Sequence, residues 1–573
     1  MTKAKRTWIA ALLVVALGTT AACSDGGGNK SEGQGEASAS ASQSPGQTGG
    51  DQSPDAQPED IMAKYDPPIE ISTGASVNPT VVWNPGESID KNSVYDNYEQ
   101  ELGIRVKNKW AVDTSQYDAK VKITIASNDL PDFMYVQRAD LDQLVKSDMV
   151  MDLTDLYEKY ATPETKKFLT ADGGAQLDSA KSDGKLMAIP RTDAPYVPAQ
   201  ILYIRNDWLK KLNLQAPKTM QDVLDISHAF ATMDPDGNGK ADTIGLSLQK
   251  EILASDSGLI GYFSSYHAYP GKWIKTASGQ VEYGGIQPEV KTTLKRLQDM
   301  FKAGELDKEF MVKDSSKSAE LLVSDKAGMV YGPFWMPSWP LQGGAVKDGK
   351  VVQDWGIYAV PSIDDKPALQ PVDLGVTGYY VISKKAKHPE AVFKLLNRWV
   401  TALTRNDPTE DVAKYSQGSL KDKPQAYYTL NPVLVYNIGA QLYSGEMMPK
   451  AIKAKDPSML NNENKINYEN VMKFEAGDAN QYGAYMAFKE GGSQPLLYEY
   501  FQEGRYLTNA YSGPPTATMA DRWATLQAKE MEVFTKIITN GASVDEFDKY
   551  VEQWKTLGGA QITQEVNDWL QSH

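Results

Sequence analysis

The chain has 573 residues, a formal net charge of −15 and 41 % hydrophobic residues. Its length exceeds one ordinary domain, so we expect two or three lobes, and its apolar fraction excludes a chain that is disordered throughout. The excess of acidic residues argues against nucleic acid as a partner, because phosphate backbones bind basic surfaces.

The first residues of the chain have the features of an export signal. Lys3, Lys5 and Arg6 precede an apolar run at 8–17, which is too short to remain as a membrane-spanning helix. No later apolar run in the sequence is long enough to cross a bilayer. We therefore predict a signal peptide over residues 1–22.

The single cysteine of the chain, Cys23, follows this segment directly. The stretch Thr20-Ala-Ala-Cys23 resembles a bacterial lipoprotein processing site, although a threonine stands where leucine is usual. The resemblance implies that Cys23 receives a lipid such as palmitate and anchors the protein to the extracellular face of a bacterial membrane, in an organism that we expect to be Gram-positive. An incidental cysteine is the alternative. A lone cysteine also leaves the mature chain without an internal disulfide.

Residues 23–64 are rich in Gly, Ser and Gln and contain few large apolar side chains. Such a composition cannot bury a core and is typical of a flexible tether. A tether between a lipidated cysteine and a folded body predicts a protein that is displayed on the outer side of a membrane.

Strands and helices alternate after residue 69. This alternation is typical of βαβ units and predicts a largely parallel sheet. In chain order we predict a strand at 80–83, a helix at 95–102, a strand at 105–110, a helix at 117–127, a strand at 130–136, a helical region at 141–156, a strand at 201–205 and a helix at 207–212.

The second half of the chain is less regular. Thr219 is predicted as the N-cap of a helix that runs to residue 230, because Asp222 three residues later completes a capping box. Strands and helices resume from residue 243 to about 360, and another strand block begins at 372–383. The region 401–505 is rich in Tyr, Asn and Pro and gives no clear assignment, whereas the chain from residue 518 is helical.

An oxygen-rich loop follows the predicted helix at 234–245. Oxygen-bearing side chains occupy its positions one, three, five and nine, and Gly239 takes position six, where a calcium loop turns sharply. Position twelve is Gly245 rather than the glutamate of an EF-hand, so Asp242, Thr243 or a residue from elsewhere completes the shell. A solvated turn is the alternative. We predict a structural Ca²⁺ ion bound by Asp234, Asp236, Asn238, Asp242, Thr243 and the backbone carbonyl of Lys240.

Motifs of catalysis are weak in this sequence. The four histidines show neither HExxH nor paired spacing, so a zinc site is not expected. GxSxG, Walker and GxGxxG motifs do not occur in a suitable strand-to-helix context. A glycosidase needs two carboxylates, and nothing in the sequence selects two of the 74 acidic residues. We therefore expect a protein that is not an enzyme.

Aromatic residues with a polar edge are abundant, since 30 tyrosines and 12 tryptophans stand against 13 phenylalanines. Such rings suit sugars, whose C–H faces stack on them while the hydroxyls bond to polar groups at the rim. The alternative is that most of them fill the core and the lobe interfaces. The local clusters are Tyr262, Tyr266, Tyr269 and Trp273; Tyr331, Trp335 and Trp339; and Tyr379 with Tyr380.

Several short motifs occur in a characteristic order. They are Val81-Val-Trp-Asn-Pro-Gly86, Asn128-Asp-Leu-Pro-Asp132, Asp183-Gly-Lys-Leu-Met-Ala-Ile-Pro190, Arg205-Asn-Asp-Trp-Leu209, Lys326-Ala-Gly-Met329, Gly332-Pro-Phe-Trp335, the block 375–383 and the tail 544–569. In this order they resemble the extracellular solute-binding proteins (family 1) of carbohydrate ABC importers, the maltose-binding-like group and especially its larger lipoproteins. The resemblance covers about residues 65–573 and is weakest at 401–505. Some large members carry a similar calcium loop.

The resemblance implies an α/β, two-lobed periplasmic-binding-protein-like fold (type II) with the ligand cleft between the lobes. Lobe 1 would comprise 65–190 and 366–505, and lobe 2 would comprise 191–365 and 506–573, with crossings near 190–200, 360–370 and 505–515.

The implied function is capture of an oligosaccharide by lobe closure, followed by delivery to the transmembrane subunits of an ABC permease. We expect a monomer. One alternative keeps the fold and binds a peptide through strand-like backbone pairing, or another small solute. The other is a cell-surface carbohydrate-active enzyme with two carboxylates about 5–9 Å apart in the cleft.

Ligand-binding residues follow from the resemblance by position. The family's tryptophan after Pro-Asp is missing here, because Tyr135 and Val136 stand at that point, and stacking there stays open. Trp339 and Tyr379 are added from the aromatic clusters. The residues implied by the resemblance are Glu87, Gln137 and Arg138 on the rim of lobe 1; Arg191 and Asp193 at the first crossing; and Tyr266, Tyr269, Trp273, Trp335, Arg522 and Trp523 on lobe 2.

Overall fold

The computed structural model describes residues 60–78, 81–404 and 427–572. The predicted signal peptide, Cys23 and nearly all of the predicted tether lie outside these residues. The strands are, in chain order, β1 Ile69–Val77, β2 Ile104–Asp113, β3 Phe133–Val136, β4 Lys181–Ser182, β5 Lys185–Leu186, β6 Ile189–Thr192, β7 Ile201–Arg205, β8 Ile244–Leu246, β9 Trp273–Lys275, β10 Val281–Tyr283, β11 Ala327–Gly332, β12 Val346–Lys347, β13 Lys350–Val351, β14 Trp355–Tyr358, β15 Gln370–Val372, β16 Val376–Ile382 and β17 Tyr506–Thr508.

Helices make up most of the rest. Within the described ranges, no helix is long and apolar enough to cross a membrane. The α-helices are Ser93–Leu102, Tyr117–Ala126, Arg138–Lys146, Thr154–Tyr160, Pro163–Leu169, Ala175–Asp178, Asn206–Lys211, Met220–Thr232, Ile260–Ser265, Pro288–Lys302, Ser315–Val323, Gln342–Ala345, Pro389–Thr404, Ala440–Ala454, Asn462–Glu475, Tyr482–Phe488, Ser493–Gln502, Ala517–Ile538, Glu546–Trp554 and Ala560–Ser572.

Lobe 1 is built on the pair β1-β2 and on the three-stranded sheet β3-β16-β6. β1 and β2 run parallel and are connected by the helix Ser93–Leu102, so they form a βαβ unit. The core of this lobe includes Ile71, Ile104, Phe133 and the apolar side of the helix Pro389–Thr404. Apolar residues of both sheets thus share one core.

Lobe 2 is built on the four-stranded sheet β14-β7-β11-β8. The side chains of β7 alternate between its two faces, because Leu202 and Ile204 enter one core while Ile201 and Tyr203 enter another. Helices between residues 220 and 310 and the C-terminal helices complete the first core. Helices near the end of the region 440–502 cover the second.

The expectation of largely parallel sheets is wrong for the strands that follow a lobe crossing. β7 pairs antiparallel with β11 and β14, and β16 pairs antiparallel with β3 and β6. Within the lobes, β1 with β2 and β8 with β11 are parallel. β7 and β16 enter their sheets from the other lobe, so no crossover helix fixes their direction.

Single elements follow the predictions to different degrees. The strand predicted at 201–205 is β7, and the helix predicted at 95–102 is Ser93–Leu102. The predicted capping box is present, since Thr219 Oγ1 accepts from the Asp222 amide at 3.2 Å and Asp222 Oδ2 accepts from the Thr219 amide at 2.8 Å. Residues 81–84, however, form no strand, and the first strand of the described residues is β1.

The division between the lobes differs from the expected one at 440–505. The four helices between Ala440 and Gln502 pack on the turn Pro337–Leu341, on Trp355 and on one another, and not on the core of lobe 1. Leu430 and Val433, which precede them, do belong to the core of lobe 1. The physical reason is that the second face of the lobe 2 sheet is apolar and needs a covering layer.

Three segments of the described chain therefore cross between the lobes, at 193–200, 359–375 and 435–439, and the third replaces the crossing expected at 505–515. Hydrogen bonds tie the crossings together. Gln200 N donates to Gln370 Oε1 at 3.1 Å, and the Tyr500 hydroxyl donates to the Gln200 carbonyl at 3.3 Å. β15 and β17 pair in parallel beside them.

Candidate functional site

Cavity 1, of about 370 Å³, opens where the strands of lobe 1 end. The second half of β1 contributes Thr73 and Ser76. Tyr135 near the end of β3, Gln137 just after it and Arg191 near the end of β6 line the cavity as well. The segment 429–434 closes its remaining side. Strand ends that meet at one edge are the usual place for a ligand in α/β folds.

Tyrosine rings form much of the wall of cavity 1. The Tyr117 hydroxyl donates to the Tyr135 carbonyl at 3.2 Å, and the Tyr95 hydroxyl donates to Asn108 Oδ1 at 3.1 Å. Burial raises the pKa of Tyr95 to about 12, so this phenol stays neutral. Tyr380 also lines the cavity, and its hydroxyl bonds the backbone of Leu434. These hydroxyls are hydrogen-bonded to the protein, so the rings present apolar surfaces to the cavity.

Arg191 supplies the guanidinium of cavity 1. Its Cζ lies 5.2 Å from the centroid of the Tyr135 ring, and its Nε is buried without a hydrogen-bond partner among the described residues. Asp193, two residues on, accepts from the amide of Ala194 at 2.7 Å, and burial raises its pKa while Arg191 lowers it. A buried donor without a partner is costly, so Arg191 Nε favours a hydrogen-bond acceptor in a ligand.

Cavity 2, of about 460 Å³, opens on lobe 2. Phe334 and Trp335, which follow the end of β11, form its aromatic side. The other walls come from the four helices between 440 and 502, with Glu463, Asn467 and Asn470 on one face of a single helix. Most of the polar groups around the rings are side-chain amides.

Cavities 1 and 2 are neighbours. Leu434 lines cavity 1 and Ala440 lines cavity 2, so the crossing at 435–439 joins them over at most about 20 Å of extended chain. Thr192, next to Arg191, accepts from the Tyr436 amide at 3.0 Å and holds this crossing against the end of β6. The two cavities therefore lie on either side of this crossing along the chain.

Cavity 3 is an open groove of about 780 Å³ that extends from cavity 2. The two share Ser338, Gln342 and Asn480 as lining residues. Trp339 lies in this groove with 47 % of its surface exposed, whereas most tryptophans of the described chain are buried or half-buried. An exposed indole beside a polar cavity provides a further flat surface for a ligand.

Four of the predicted ligand-binding residues line these cavities. Gln137 and Arg191 line cavity 1, Trp335 lines cavity 2 and Trp339 lines cavity 3. The structure places Gln137 and Arg191 together in cavity 1, and Trp335 and Trp339 in cavities 2 and 3, which share lining residues.

The other predicted aromatic residues belong to the cores. Tyr266 is 5 % exposed and stacks on Tyr262, and Trp273 is 4 % exposed beside the Trp523 ring, whose centroid is 5.9 Å away. Tyr269 and Tyr379 are likewise buried. None of these four side chains lines cavities 1 to 3, so their role as ligand contacts stays a prediction.

Four further predicted residues are held by the protein itself. The Glu87 carboxylate accepts from the Ser93 amide at 2.9 Å and from the Tyr427 hydroxyl, which places it at the start of a helix. Arg138 pairs with Asp142 at 3.1 Å and donates to the Ser179 carbonyl. Asp193 does not line cavity 1, and Arg522 pairs with its neighbour Asp521 at 2.9 Å.

Several cavity residues were not selected from the sequence. Tyr117 lies outside the predicted aromatic clusters, and Tyr380 belongs to one of them but was not chosen as a ligand contact. Glu463 and Gln494 lie in the region 401–505, which has no clear assignment to elements. Helical spacing of Glu463, Asn467 and Asn470 was the one available sign, and it becomes meaningful only once the helix is placed.

The oxygen-rich loop lies on lobe 2, away from the three cavities. Asp234 receives the amides of Gly237, Asn238 and Gly239, each at 3.0 Å, so its carboxylate organises the turn. Gly239 has φ of 81°, as the sharp turn requires. The loop thus has the predicted local geometry.

The side chains that would bind a metal ion in this loop form hydrogen bonds and ion pairs in the described conformation. Asn238 Nδ2 donates to Asp236 and Asp242 at 2.7 and 3.0 Å, and the Lys326 ammonium lies 2.8 Å from Asp242 and 3.7 Å from Asp236. Partial burial and the neighbouring Asp234 raise the pKa of Asp236. No group of three or more His, Cys, Asp or Glu side chains within the described residues is arranged to hold a metal ion.

Thr243 does not fit its predicted role as a calcium ligand through its side chain. It is 4 % exposed, and its hydroxyl donates to the Phe230 carbonyl at 2.6 Å. The oxygens that remain for a cation are those of Asp234, Asp236, Asn238 and Asp242, with the Lys240 carbonyl. Asp236 and Asp242 already share a cation, Lys326, and this supports the fit of a positive ion between them.

Comparison with known proteins places these features in context. The family model described as Bacterial extracellular solute-binding protein matches residues 85–402, more than half of the chain. The Polygalacturonan/rhamnogalacturonan-binding protein YtcQ of Bacillus subtilis is 23 % identical over 492 residues, which are 83 % of this chain and 88 % of that protein. Lipoprotein LipO of the same organism is 27 % identical over 254 residues, 43 % of this chain and 48 % of that protein.

Solved structures share the two-lobed fold. The HMO binding ABC-transporter associated Solute Binding Protein from Bifidobacterium longum infantis matches with a TM-score of 0.62 at 17 % identity, covering 88 % of this chain and 98 % of that chain. The FusA EF-hand mutant of Streptococcus pneumoniae, in complex with fructo-nystose, matches with a TM-score of 0.58 at 18 % identity, covering 88 % of this chain and 100 % of that chain.

Proposed function

The chain belongs to the bacterial extracellular solute-binding proteins, and from this premise we propose that it captures an oligosaccharide between its lobes and delivers it to the permease of an ABC importer. The ligand lies across cavities 1 and 2 at the junction of the lobes. Closure of the lobes around the sugar is the signal that the permease reads.

The observation that carries this proposal is the pairing of the two cavities. Cavity 1 offers tyrosine rings with the Arg191 guanidinium, and cavity 2 offers Trp335 surrounded by side-chain amides. Rings cover the C–H faces of a sugar while amides and charged groups bond its hydroxyls. YtcQ is named for polygalacturonan and rhamnogalacturonan, and FusA is in complex with fructo-nystose, which supports a carbohydrate ligand.

We further propose that the sugar is bound without chemical change. Among the described lining residues, Asp118 is the carboxylate of cavity 1 and Glu463 is the carboxylate of cavity 2. A glycosidase needs two carboxylates about 5–9.5 Å apart around one glycosidic bond. The separate placement of these two acids in different cavities supports capture over hydrolysis.

The oxygen-rich loop is proposed as a structural calcium site. Asp234, Asp236, Asn238 and Asp242, with the carbonyl of Lys240, are the oxygens for the ion, which suits the preference of Ca²⁺ for hard ligands. A bound ion would neutralise the crowded carboxylates that Lys326 and Asn238 now share. The FusA structure is of an EF-hand mutant, so a related fold carries such a loop.

Attachment to the membrane is proposed through a lipid on Cys23. The apolar segment 8–17 and the lone cysteine carry this proposal, and LipO, a relative, is named as a lipoprotein. Mass spectrometry of the membrane fraction tests it, because a diacylated Cys23 adds a defined mass that a Cys23→Ala variant lacks. A wild-type protein of unmodified mass in the culture medium would contradict it.

A thermal-shift screen tests the proposed function. The purified folded part is heated with neutral and acidic oligosaccharides and, in parallel, with peptides. Ligands that bind the native state raise the melting temperature by mass action. We expect a shift with at least one class of glycan and none with peptides, whereas a shift with peptides alone would overturn the sugar assignment.

A further inference from the structure

Cavity 2 is lined by one charged group and many neutral ones. Glu463 is the ionisable side chain among its described lining residues, and the remaining polar groups there are amides and hydroxyls. Lysine, arginine and histidine do not occur in that set. Cavity 2 therefore offers hydrogen-bond acceptors to a ligand, and its charged group, the Glu463 carboxylate, is negative.

Glu463 has no hydrogen bond or ion pair with another described residue. It lies in the first turn of the helix Asn462–Glu475, whose N-cap Asn461 accepts from the Asn464 amide. The carboxylate is open to the solvent of the cavity, yet the protein around it removes enough water to raise its pKa. A carboxylate in this position is free to accept hydroxyl donors from a ligand.

Two amide oxygens of cavity 2 also lack donors. Gln441 Oε1 and Gln494 Oε1 are buried without a hydrogen-bond partner, and Gln494 is only 4 % exposed. Buried acceptors without a donor are costly, so such groups are normally satisfied by protein, water or ligand. Because both side chains line cavity 2, we expect a ligand placed there to donate hydrogen bonds to these two oxygens.

We propose that cavity 2 selects a neutral sugar unit, bound through its hydroxyl donors to Glu463, Gln441 and Gln494, and disfavours a uronate. This assignment rests on the proposed function and names its substrate class. A uronate would bring a second carboxylate against Glu463, and like charges repel. Arg191 cannot offset this, because it lines cavity 1.

The discrimination holds even for a ligand that fills both cavities. A polyuronate carries a carboxylate on every unit, so one of them enters cavity 2 wherever the chain is placed. A neutral oligosaccharide carries no such penalty and still presents hydroxyl groups, as acceptors, to the Arg191 guanidinium. The favoured class is therefore neutral.

Isothermal titration tests this with matched probes. One fixed pair is tetragalacturonate and its methyl ester, which differ in charge but not in linkage. The other pair is the best neutral oligosaccharide of the glycan screen and its C6-oxidised form. We expect the neutral member to bind at least tenfold more tightly in at least one pair.

Two variants attribute this preference to Glu463. Glu463→Gln removes the charge but keeps the shape of the side chain. In this variant we expect the dissociation constants of the acidic and the neutral probe to differ by about threefold or less. Glu469→Gln, an exposed residue of the same helix that does not line cavity 2, is the matched control and should leave the ratio unchanged.

The outcomes separate this assignment from the proposed function. Equal or tighter binding of the uronate by the wild type, or an unchanged ratio in Glu463→Gln, would overturn the neutral assignment alone. Binding of no glycan by the wild type would refute the proposed function and this assignment with it.

Discussion

Arg191 and Arg138 both lie near cavity 1 but have different partners. The Arg191 guanidinium packs 5.2 Å from the Tyr135 ring, and its Nε has no hydrogen-bond partner in the described chain. Arg138 instead bonds Asp142 at 3.1 Å and the Ser179 carbonyl. At the scale of the residue, the first arginine is free for a ligand and the second holds the fold.

We predict that Arg191→Leu weakens glycan binding by about ten- to a hundredfold, because a charge-assisted hydrogen bond contributes about 1.5–3 kcal/mol. Its melting temperature should stay near that of the wild type. Arg138→Leu, the control, should lower the melting temperature because it leaves Asp142 without its ion pair. Titration and thermal unfolding of both variants measure this, and unchanged affinity in Arg191→Leu would count against cavity 1.

Glu530 is a buried carboxyl in the core of lobe 2. It is 2 % exposed and accepts from the hydroxyls of Tyr550 at 2.7 Å and Tyr283 at 3.2 Å. Burial raises its pKa from 4.5 to about 7. Between these pH values the folded protein keeps a proton that the unfolded chain releases, so this residue costs stability as the pH rises.

We predict that Glu530→Gln stabilises the protein increasingly from pH 5 to pH 8. The gain should reach about 3 kcal/mol above pH 7, because each unit of pKa shift corresponds to about 1.4 kcal/mol. Glutamine keeps the shape and hydrogen bonds with both tyrosines. Urea unfolding at several pH values measures the difference, and a gain that is independent of pH would contradict the assigned titration.

The role of an aromatic residue depends on where the fold places a cavity beside it. Trp273, Tyr266, Tyr117 and Tyr380 are all buried, but of these four Tyr117 and Tyr380 line cavity 1. Trp335 was predictable, because a Gly-Pro-aromatic turn after a strand places its ring at the strand end. The residue type is known from the sequence, but the groups that surround the ring come from distant segments of the chain.

At the scale of the element, the groove of cavity 3 extends cavity 2 past Trp339. The shared residues Ser338, Gln342 and Asn480 make the two continuous. We predict that Trp339→Ala weakens binding of long oligosaccharides roughly fivefold and leaves short ones unchanged, because one stacking contact contributes about 1 kcal/mol.

A chain-length series in titration measures the effect of Trp339→Ala. Val351→Ala, an exposed apolar residue of lobe 2 that does not line cavity 3, serves as the control. Equal losses for disaccharides and for longer oligosaccharides would show that Trp339 acts on the fold rather than on the groove.

The calcium loop gives a second prediction at this scale. EDTA should lower the melting temperature of the wild type by about 2–5 °C, and readdition of Ca²⁺ should restore it. Asp236→Ala should melt at the lower temperature and no longer respond to EDTA, while glycan affinity is kept. Asp225→Ala, on the preceding helix, is the control, and a wild type that ignores EDTA would make the loop a polar turn.

Elements with local signals were predictable and those defined by pairing were not. The capping box of Thr219 and Asp222 and the strand β7 depend on neighbouring residues alone. β1 was missed because its strand character comes from pairing with β2, more than thirty residues later. The helices of 440–502 contain Pro449 and many polar residues, and their place follows from the apolar face that they cover.

Across the whole molecule, three crossings among the described residues join the lobes, and one of them lies between cavities 1 and 2. The crossing at 435–439 connects cavity 1 to cavity 2, and Thr192 beside Arg191 anchors it. A change in the angle between the lobes therefore changes the distance between the two halves of the site. This coupling of hinge and site is what a capture protein requires.

The two-lobed fold was predictable because many weak motifs kept one order along the chain. The boundary between the lobes was not, since the third crossing depends on which face of which sheet the helices after Ala440 cover. That packing is a property of the assembled molecule and has no signature in any one segment.

Native mass spectrometry of the folded part mixed with an oligosaccharide library tests whether the protein captures an intact sugar. We predict one intact oligosaccharide per chain, with a mass that is unchanged after prolonged incubation. The absence of any glycan complex alongside binding of peptides, or the appearance of shortened glycans over time, would contradict capture of a sugar without chemistry.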